Sequence, residues 1–143
     1  MSGVSVAPPP EPSLSPEEQD AFERGVAQFN ARLFFECHDT LEDLWSGVRG
    51  PSRDFFQGLI QVAVGFYHLG NDNRAGAMRL LERARCRLEG YPDCYGGIAL
   101  AELREAVASW LGAFEREGDE ASWPPLPTLR AVDESGAERS IRR

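Results

Sequence analysis

A histidine and a glutamate lie four residues apart in the segment F-F-E-C-H-D-T-L-E-D-L-W, residues 34–45. His38 is one of only two histidines in the 143-residue chain, and Glu42 follows it after one helical turn. In a helix this spacing puts an imidazole and a carboxylate on one face, where they could bind a metal ion or transfer protons near neutral pH. The same spacing also suits a buried hydrogen-bond network that fixes helix register. A structural network, a binding pocket and a catalytic pair are therefore all open interpretations.

Polar partners for this pair recur in a second segment, R-D-F-F-Q-G-L-I-Q-V-A-V-G-F-Y-H-L-G, residues 53–70. The segment is otherwise apolar almost all round, which is typical of a central, buried helix. Folding the chain about residue 49 makes the two segments antiparallel and places Glu42 opposite Gln57 and His38 opposite Gln61. We expect the six polar and aromatic side chains of the two facing helices to form one seam: His38, Glu42, Trp45, Gln57, Gln61 and His68. If the seam holds a metal, its ligands should be His38, Glu42 and His68; the sequence defines no cofactor.

Three further acids of the first segment lie on another side of the helical wheel. Glu36, Asp39 and Asp43 recur at steps of three and four residues. Because such positions share one helix face, and because unpaired carboxylates rarely leave water, we expect this face to be solvated.

An arginine ridge lies further along the chain, at Arg79, Arg83 and Arg87. Steps of four residues place the three guanidinium groups along one helix face, where they could bind an anion, an acidic partner or RNA. No aromatic residue interleaves with the ridge, so a solvated basic face is the favoured interpretation.

The elements that must position these residues are predicted from apolar periodicity, caps and helix breakers. Helices are expected over about 16–31, 34–46, 53–69, 74–89 and 98–117, with Ser15 and Glu18 forming a capping box at the start of the first. No useful strand-like alternation occurs. The predicted fold is therefore an all-α bundle of five helices in a single domain over 14–127, with the third helix central and mostly buried. A disordered leader (1–13) and a disordered tail (128–143) flank it, and Trp123 and Leu126 should pack back onto the bundle.

Composition narrows the classes of function. Fifteen basic residues, all arginine, stand against 23 acidic ones, so the net charge is -8 and there is no lysine nucleophile. This charge disfavours a general nucleic-acid or membrane-surface binder. The three cysteines form no C-x-x-C pair, and no apolar run is long enough to span a membrane, which together favour a cytoplasmic location. A homodimer is compatible with the composition, although no sequence feature demands one.

Two motifs carry a resemblance to a known family: F-E-x-H-[DE]-x-x-E-x-x-W over residues 35–45 and Q-G-L-I-Q over residues 57–61. The chain resembles, from about Phe22 to Phe114, the family named domain of unknown function three-hundred-and-nine. The family often has Glu where this chain has Asp39, and Gly where it has Ala31. The resemblance implies a compact helical domain but brings no reaction with it. Its signature residues match Glu36, His38, Asp39, Glu42, Trp45, Gln57, Gly58, Gln61, His68, Asn71, Gly76 and Ala77.

These observations predict a helical domain in which the seam is structural or binds a small ligand, a metal or a partner. Binding is favoured over turnover. The first alternative is a metal-dependent or hydrolase-like enzyme that uses His38 and Glu42. The second alternative is an interaction module that presents the arginine ridge to an acidic partner or to RNA.

Overall fold

A computed structural model describes residues 7–116, 122–133 and 135–139 of the chain. The described residues form five α-helices and one short β-hairpin, which confirms the predicted all-α bundle. The elements in chain order are α1 (Pro16–Asn30), α2 (Phe34–Ser46), α3 (Arg53–Gly70), α4 (Arg74–Leu88), β1 (Cys94–Tyr95), β2 (Ile98–Ala99) and α5 (Leu100–Glu115).

The hairpin is the one element that periodicity does not predict. Gly96 and Gly97 have φ angles of +64° and +75°, so they form a tight turn that few other residues could adopt. The antiparallel strands β1 and β2 take up the first residues assigned to the last helix, and α5 therefore begins at Leu100 rather than at about 98.

Helix α3 lies at the centre of the fold, as its composition predicts. Ten of its residues are buried, and α2 and α4 pack against opposite flanks of it. On the α4 flank, Gly58 lies against Leu88 and Gly65 lies against Leu81. Since glycine carries no side chain, the leucines of α4 reach the α3 backbone itself.

The connection between α2 and α3 is held by Arg53. Its guanidinium Nη1 donates to the carbonyl oxygens of Trp45 at 3.0 Å and Val48 at 2.8 Å. The same guanidinium lies 3.9 Å from the centre of the Trp45 ring, a cation–π contact. Gly50, with φ of +87°, turns the chain between them. The two helices are therefore antiparallel about a turn near residue 49, as the sequence predicts.

Side-chain caps fix two helix starts. Ser15 accepts from the backbone N–H of Glu18 while the Glu18 carboxylate accepts from the backbone N–H of Ser15, which confirms the predicted capping box. Asn73 accepts from the Gly76 N–H and caps α4 in the same way.

The segments outside the predicted domain also make ordered contacts. Leu129 and Val132 are each only 2% exposed, and Asn30 forms two hydrogen bonds with the Leu129 backbone. The expectation of a disordered tail from residue 128 is therefore wrong for residues 129–132, because their apolar side chains complete the core. In the predicted leader, the backbone carbonyl of Pro10 accepts from the Tyr95 hydroxyl. Residues 1–6 and 140–143 lie outside the described residues.

The segment after the last helix packs as predicted. The Trp123 ring lies 5.5 Å from that of Trp110, and Trp110 Nε1 donates to the Pro125 carbonyl oxygen. Among the helices of the described residues, none is both long and apolar enough to cross a membrane.

Candidate functional site

The His38–Glu42 pair lies at the surface of α2. His38 Nε2 is 3.6 Å from a Glu42 carboxylate oxygen, and His38 Nδ1 is 3.5 Å from a carboxylate oxygen of Asp39. Both distances are longer than a normal hydrogen bond, so the imidazole lies between two carboxylates without being fixed by either. The His38 side chain is 23% exposed and that of Glu42 is 55% exposed. The pair is thus open to solvent.

Trp45 and Gln61, two further residues of the predicted seam, each have a buried polar atom without a hydrogen-bond partner among the described residues. Gln61 is 9% exposed, and neither its Oε1 atom nor the Nε1 atom of Trp45 forms a hydrogen bond within the described residues. No hydrogen bond of the described residues joins an α2 side chain to Gln57 or Gln61. Within the described residues, the six seam residues thus do not form one connected hydrogen-bond network.

His68 lies apart from the other imidazole. It is two helical turns beyond Gln61 on α3, about 10 Å along the axis, and its Nδ1 atom is 3.4 Å from the side-chain nitrogen of Asn73. Within the part of the chain that the structure describes, no three His, Cys, Asp or Glu side chains are grouped so that they could hold a metal ion. The structure thus brings His38 and Glu42 together but does not add His68 to them as a third ligand.

Two exposed aromatic rings that the sequence pattern does not single out lie beside His38. Phe35 and Tyr67 are 49% and 40% exposed, and their ring centroids are 5.4 Å apart. The Phe35 ring also lies 5.7 Å from the imidazole of His38. The sequence does contain a sign of this exposure. Consecutive residues of a helix point about 100° apart, so when Phe34 faces the core, Phe35 must point away from it. We call Phe35 and Tyr67 the aromatic shelf.

Helix α2 carries four exposed carboxylates and no arginine. The prediction that Glu36, Asp39 and Asp43 face water is confirmed, and Glu42 is exposed as well. Within the described residues none of the four forms an ion pair with an arginine. This side of the molecule is therefore strongly negative, even for a chain whose net charge is -8.

The predicted arginine ridge on α4 is divided between paired and unpaired residues. Arg87 forms an ion pair with Asp54 of α3 at 2.7 Å. Arg79 and Arg83 are exposed and form no ion pair with any described residue. Two free guanidinium groups therefore remain of the three that the spacing predicts.

The buried cysteine of α2 can be excluded as a nucleophile. Cys37 is completely buried, and desolvation raises the pKa of its thiol to about 12. Because the thiolate is the reactive species, Cys37 is inert at neutral pH and serves as a core residue.

A cleft of about 600 Å³ lies elsewhere, between the leader, the β-hairpin and the C-terminal segment. Its main charged group, Arg139, donates to the Gly97 carbonyl oxygen at 3.4 Å and lies 3.6 Å from a Glu23 carboxylate oxygen. These contacts already engage the guanidinium, so the cleft offers less free charge than α2 does.

Comparison with known proteins finds matches to part of the chain. Residues 22–80 match the family described as Domain of unknown function (DUF309), which confirms the resemblance over the segment from α1 into α4. The chain is 41% identical over 58 residues to the Uncharacterized protein YpuF of Bacillus subtilis, a match that covers 39% of this chain and 33% of the relative. It is 23% identical over 99 residues to an Uncharacterized protein of Aquifex aeolicus, covering 68% of this chain and 30% of the relative. The chain thus spans about a third of the length of the curated relatives it matches.

Proposed function

We propose that the domain is a binding module and that α2, together with the aromatic shelf, is its recognition surface for a cationic ligand or partner. The observation that carries this proposal is the group of four exposed carboxylates on one helix with no arginine beside them. We call this surface the α2 face; it consists of Phe35, Glu36, His38, Asp39, Glu42, Asp43 and Tyr67.

The electrostatics of the α2 face favour a cation. Carboxylates three and four residues apart on one helix repel one another, and a bound positive charge relieves that repulsion. The imidazole of His38 lies between the carboxylates of Asp39 and Glu42, at 3.5 and 3.6 Å.

The aromatic shelf favours a guanidinium or a similar delocalised cation over a small metal ion. A guanidinium group can form bidentate hydrogen bonds with a carboxylate while it stacks on an aromatic ring. Phe35 presents such a ring one helical turn from Asp39, and the ring of Tyr67 on α3 lies beside it. The chain itself shows this mode of contact where Arg53 stacks on Trp45.

A charge-neutralisation experiment tests the proposal. A fluorescently labelled hexa-arginine peptide is titrated with the full chain, and with the double variant Asp39→Asn, Glu42→Gln. The variant keeps the side-chain shapes and removes two charges, so we expect affinity to fall by about tenfold. The peptide should bind the Phe35→Ala variant more weakly as well.

The matched control is Glu105→Gln with Glu115→Gln, two exposed acids of α5 that remove the same net charge from a different surface. An equal loss of affinity in the two double variants would show that only net charge matters and would refute the α2 face. If His38→Ala abolishes binding of Zn²⁺ while the acid variants leave the peptide unaffected, the metal-site alternative is favoured instead.

A further inference from the structure

We propose that the groove between α4 and α5 is an interface at which two copies of this chain associate. The observations that lead to this inference are an exposed apolar strip along the groove and an unpaired charge of opposite sign on each of its two walls. The surface is separate from the α2 face, because α2 and α4 pack against opposite flanks of α3.

The groove is formed by two antiparallel helices that are joined at both ends. At one end, Arg74 at the start of α4 donates from Nη2 to the carbonyl oxygen of Phe114 near the end of α5, at 3.3 Å. At the other end, Arg104 of α5 donates from Nη1 to the carbonyl oxygen of Leu88, the last residue of α4, also at 3.3 Å. These contacts hold the two helices side by side, so the groove between them is a fixed feature of the fold.

The floor of the groove is apolar and open to solvent. Ala75, Met78 and Leu111 line it, in a cavity of about 450 Å³. Met78 is 41% exposed and is one of four large apolar side chains that are exposed among the described residues. An exposed apolar strip with a polar rim is typical of a surface that binds another protein, and methionine adapts its shape to the surface it meets. The Met78 side chain is therefore available to a partner.

The two walls of the groove carry unpaired charges of opposite sign. Arg79 of α4 and Glu115 of α5 both line the groove, and neither forms an ion pair with any described residue. The helices that carry them have the same signs, since α4 contains five arginines and one glutamate, whereas α5 contains three glutamates and one arginine. A basic wall and an acidic wall thus border the apolar floor.

A two-fold axis that runs along the groove, parallel to both helices, makes this surface complementary to itself. Rotation about such an axis places α4 of each copy opposite α5 of the other, whereas an axis across the helices would set α4 against α4. Arg79 of each copy then lies opposite the acidic wall that carries Glu115, and Met78 and Leu111 of the two copies meet between the walls. The four helices form an antiparallel bundle.

The levels of the charges along the groove fit this pairing. Arg74 is level with Phe114, because the two are hydrogen-bonded. Glu115 therefore lies near the start of α4, and Arg79 lies about one turn further along the groove, about 6–7 Å. An axis parallel to the helices leaves these levels unchanged. Oppositely charged side chains can span such a rise, since an i, i+4 pair on a single helix does so.

A second copy fits this groove better than a polyanion does. A nucleic acid that bound the arginines of α4 would also approach the carboxylates of α5 on the adjoining wall, which repel it. A second copy brings an acidic wall to the basic one, a basic wall to the acidic one and apolar side chains to Met78. Because exposed ion pairs contribute little affinity, we expect a reversible dimer of modest affinity. The α2 faces of both copies remain free in it.

Substitution of Met78 tests the apolar part of the interface. The oligomeric state of the full chain is measured by sedimentation at about 0.1 mM chain and about 0.15 M salt. We expect the wild type to be largely dimeric and Met78→Glu to be monomeric, because a carboxylate from each copy would be buried in the interface. Leu33→Glu is the matched control, since it also replaces an exposed apolar side chain by a carboxylate but lies at the start of α2. It should leave the dimer intact.

Charge swaps test the pairing of the walls. Arg79→Glu and Glu115→Arg change the net charge in opposite directions, yet each should weaken the dimer by about tenfold, because each sets like charges against each other in both halves of the interface. The double variant with both substitutions has the net charge of the wild type and restores both pairs, so it should dimerise again. An equimolar mixture of the two single variants should regain the dimer for the same reason.

Circular dichroism melts check that each variant is folded, and the substituted positions Met78, Arg79 and Glu115 are all exposed. A monomeric wild type overturns the inference, and so does a dimer that Met78→Glu leaves intact. If one charge swap weakens the dimer and the other strengthens it, net charge alone governs association and the pairing is refuted. The hexa-arginine titration tests the α2 face independently of all these outcomes.

Discussion

Helix α3 meets α4 on one flank and α2 on the other, and the two flanks differ in how they are filled. On the α4 flank, glycines receive buried leucines in a close contact that excludes water. On the α2 flank, His38 and Glu42 remain open to solvent, and the buried Nε1 atom of Trp45 has no hydrogen-bond partner among the described residues. The α4 flank is therefore closed by packing, whereas the α2 flank keeps exposed polar groups.

This difference separates close packing from exposure on two sides of one helix. Gly58 is needed for the contact with Leu88, whereas the side-chain oxygen of Gln61, three residues further along α3, is buried without a partner among the described residues. Four measurements of stability test this contrast.

The largest effect is expected for Leu88→Ala on the closed flank. Leu88 is completely buried against Gly58, so its truncation leaves a cavity that α3 cannot fill. We expect the free energy of unfolding to fall by about 2–5 kcal/mol, measured by urea denaturation. A loss below about 1 kcal/mol would show that this flank is loosely packed.

A smaller loss is expected for Gly58→Ala. A Cβ atom at position 58 would lie 2.6 Å from Cδ2 of Leu88 and 2.8 Å from its Cγ, so Leu88 or the helix must shift. We expect a loss of about 1–3 kcal/mol. Gly70→Ala is the matched control, because a Cβ atom there meets nothing within 4 Å. Combining Gly58→Ala with Leu88→Ala should cost less than the sum of the two, since the second change makes room for the first.

An intermediate effect is expected for Arg53→Met at the turn that joins α2 to the open flank. The substitution keeps an unbranched apolar stem but removes the two hydrogen bonds to the Trp45 and Val48 carbonyls and the cation–π contact. We expect a loss of about 1–2 kcal/mol in a thermal melt. An unchanged melting temperature would mean that the ring packing of α2 on α3 alone holds the turn.

The smallest effect, and one of opposite sign, is expected for Gln61→Leu, one turn from Gly58 on α3. Leucine has a similar size and removes a buried acceptor that has no partner among the described residues. We expect the free energy of unfolding to be unchanged or higher by up to about 1 kcal/mol, measured by urea denaturation. A loss as large as that of Gly58→Ala would show that Gln61 is a structural residue.

Much of the fold could be predicted from the sequence because local signals agree with one another. Ser15 and Glu18 form the expected capping box, Asn73 caps α4, and the apolar period of α3 places it at the centre. The hairpin at Gly96 and Gly97 was missed because two-residue strands have no period to detect. The burial of Leu129 and Val132 was missed because a few apolar residues among polar ones do not show which part of the core they pack against.

The candidate site was predicted in part. The pairing of His38 with Glu42 follows from helical spacing, and the approach of α2 to α3 follows from the short turn. The exclusion of His68 from this pair, and the exposure of Phe35 and Tyr67, depend on the crossing of the helices, which spacing along one chain does not fix.

The sequence by itself determined the helices, their caps and the residue types on each face, because these depend on neighbours within one or two turns. Only the tertiary structure decided which polar groups find partners. Arg87 forms an ion pair with Asp54, whereas Arg79 and Arg83 form none with any described residue, and the Oε1 atom of Gln61 is buried without a hydrogen bond among those residues. Whether a polar atom is satisfied depends on atoms that are distant along the chain and are brought near only by packing.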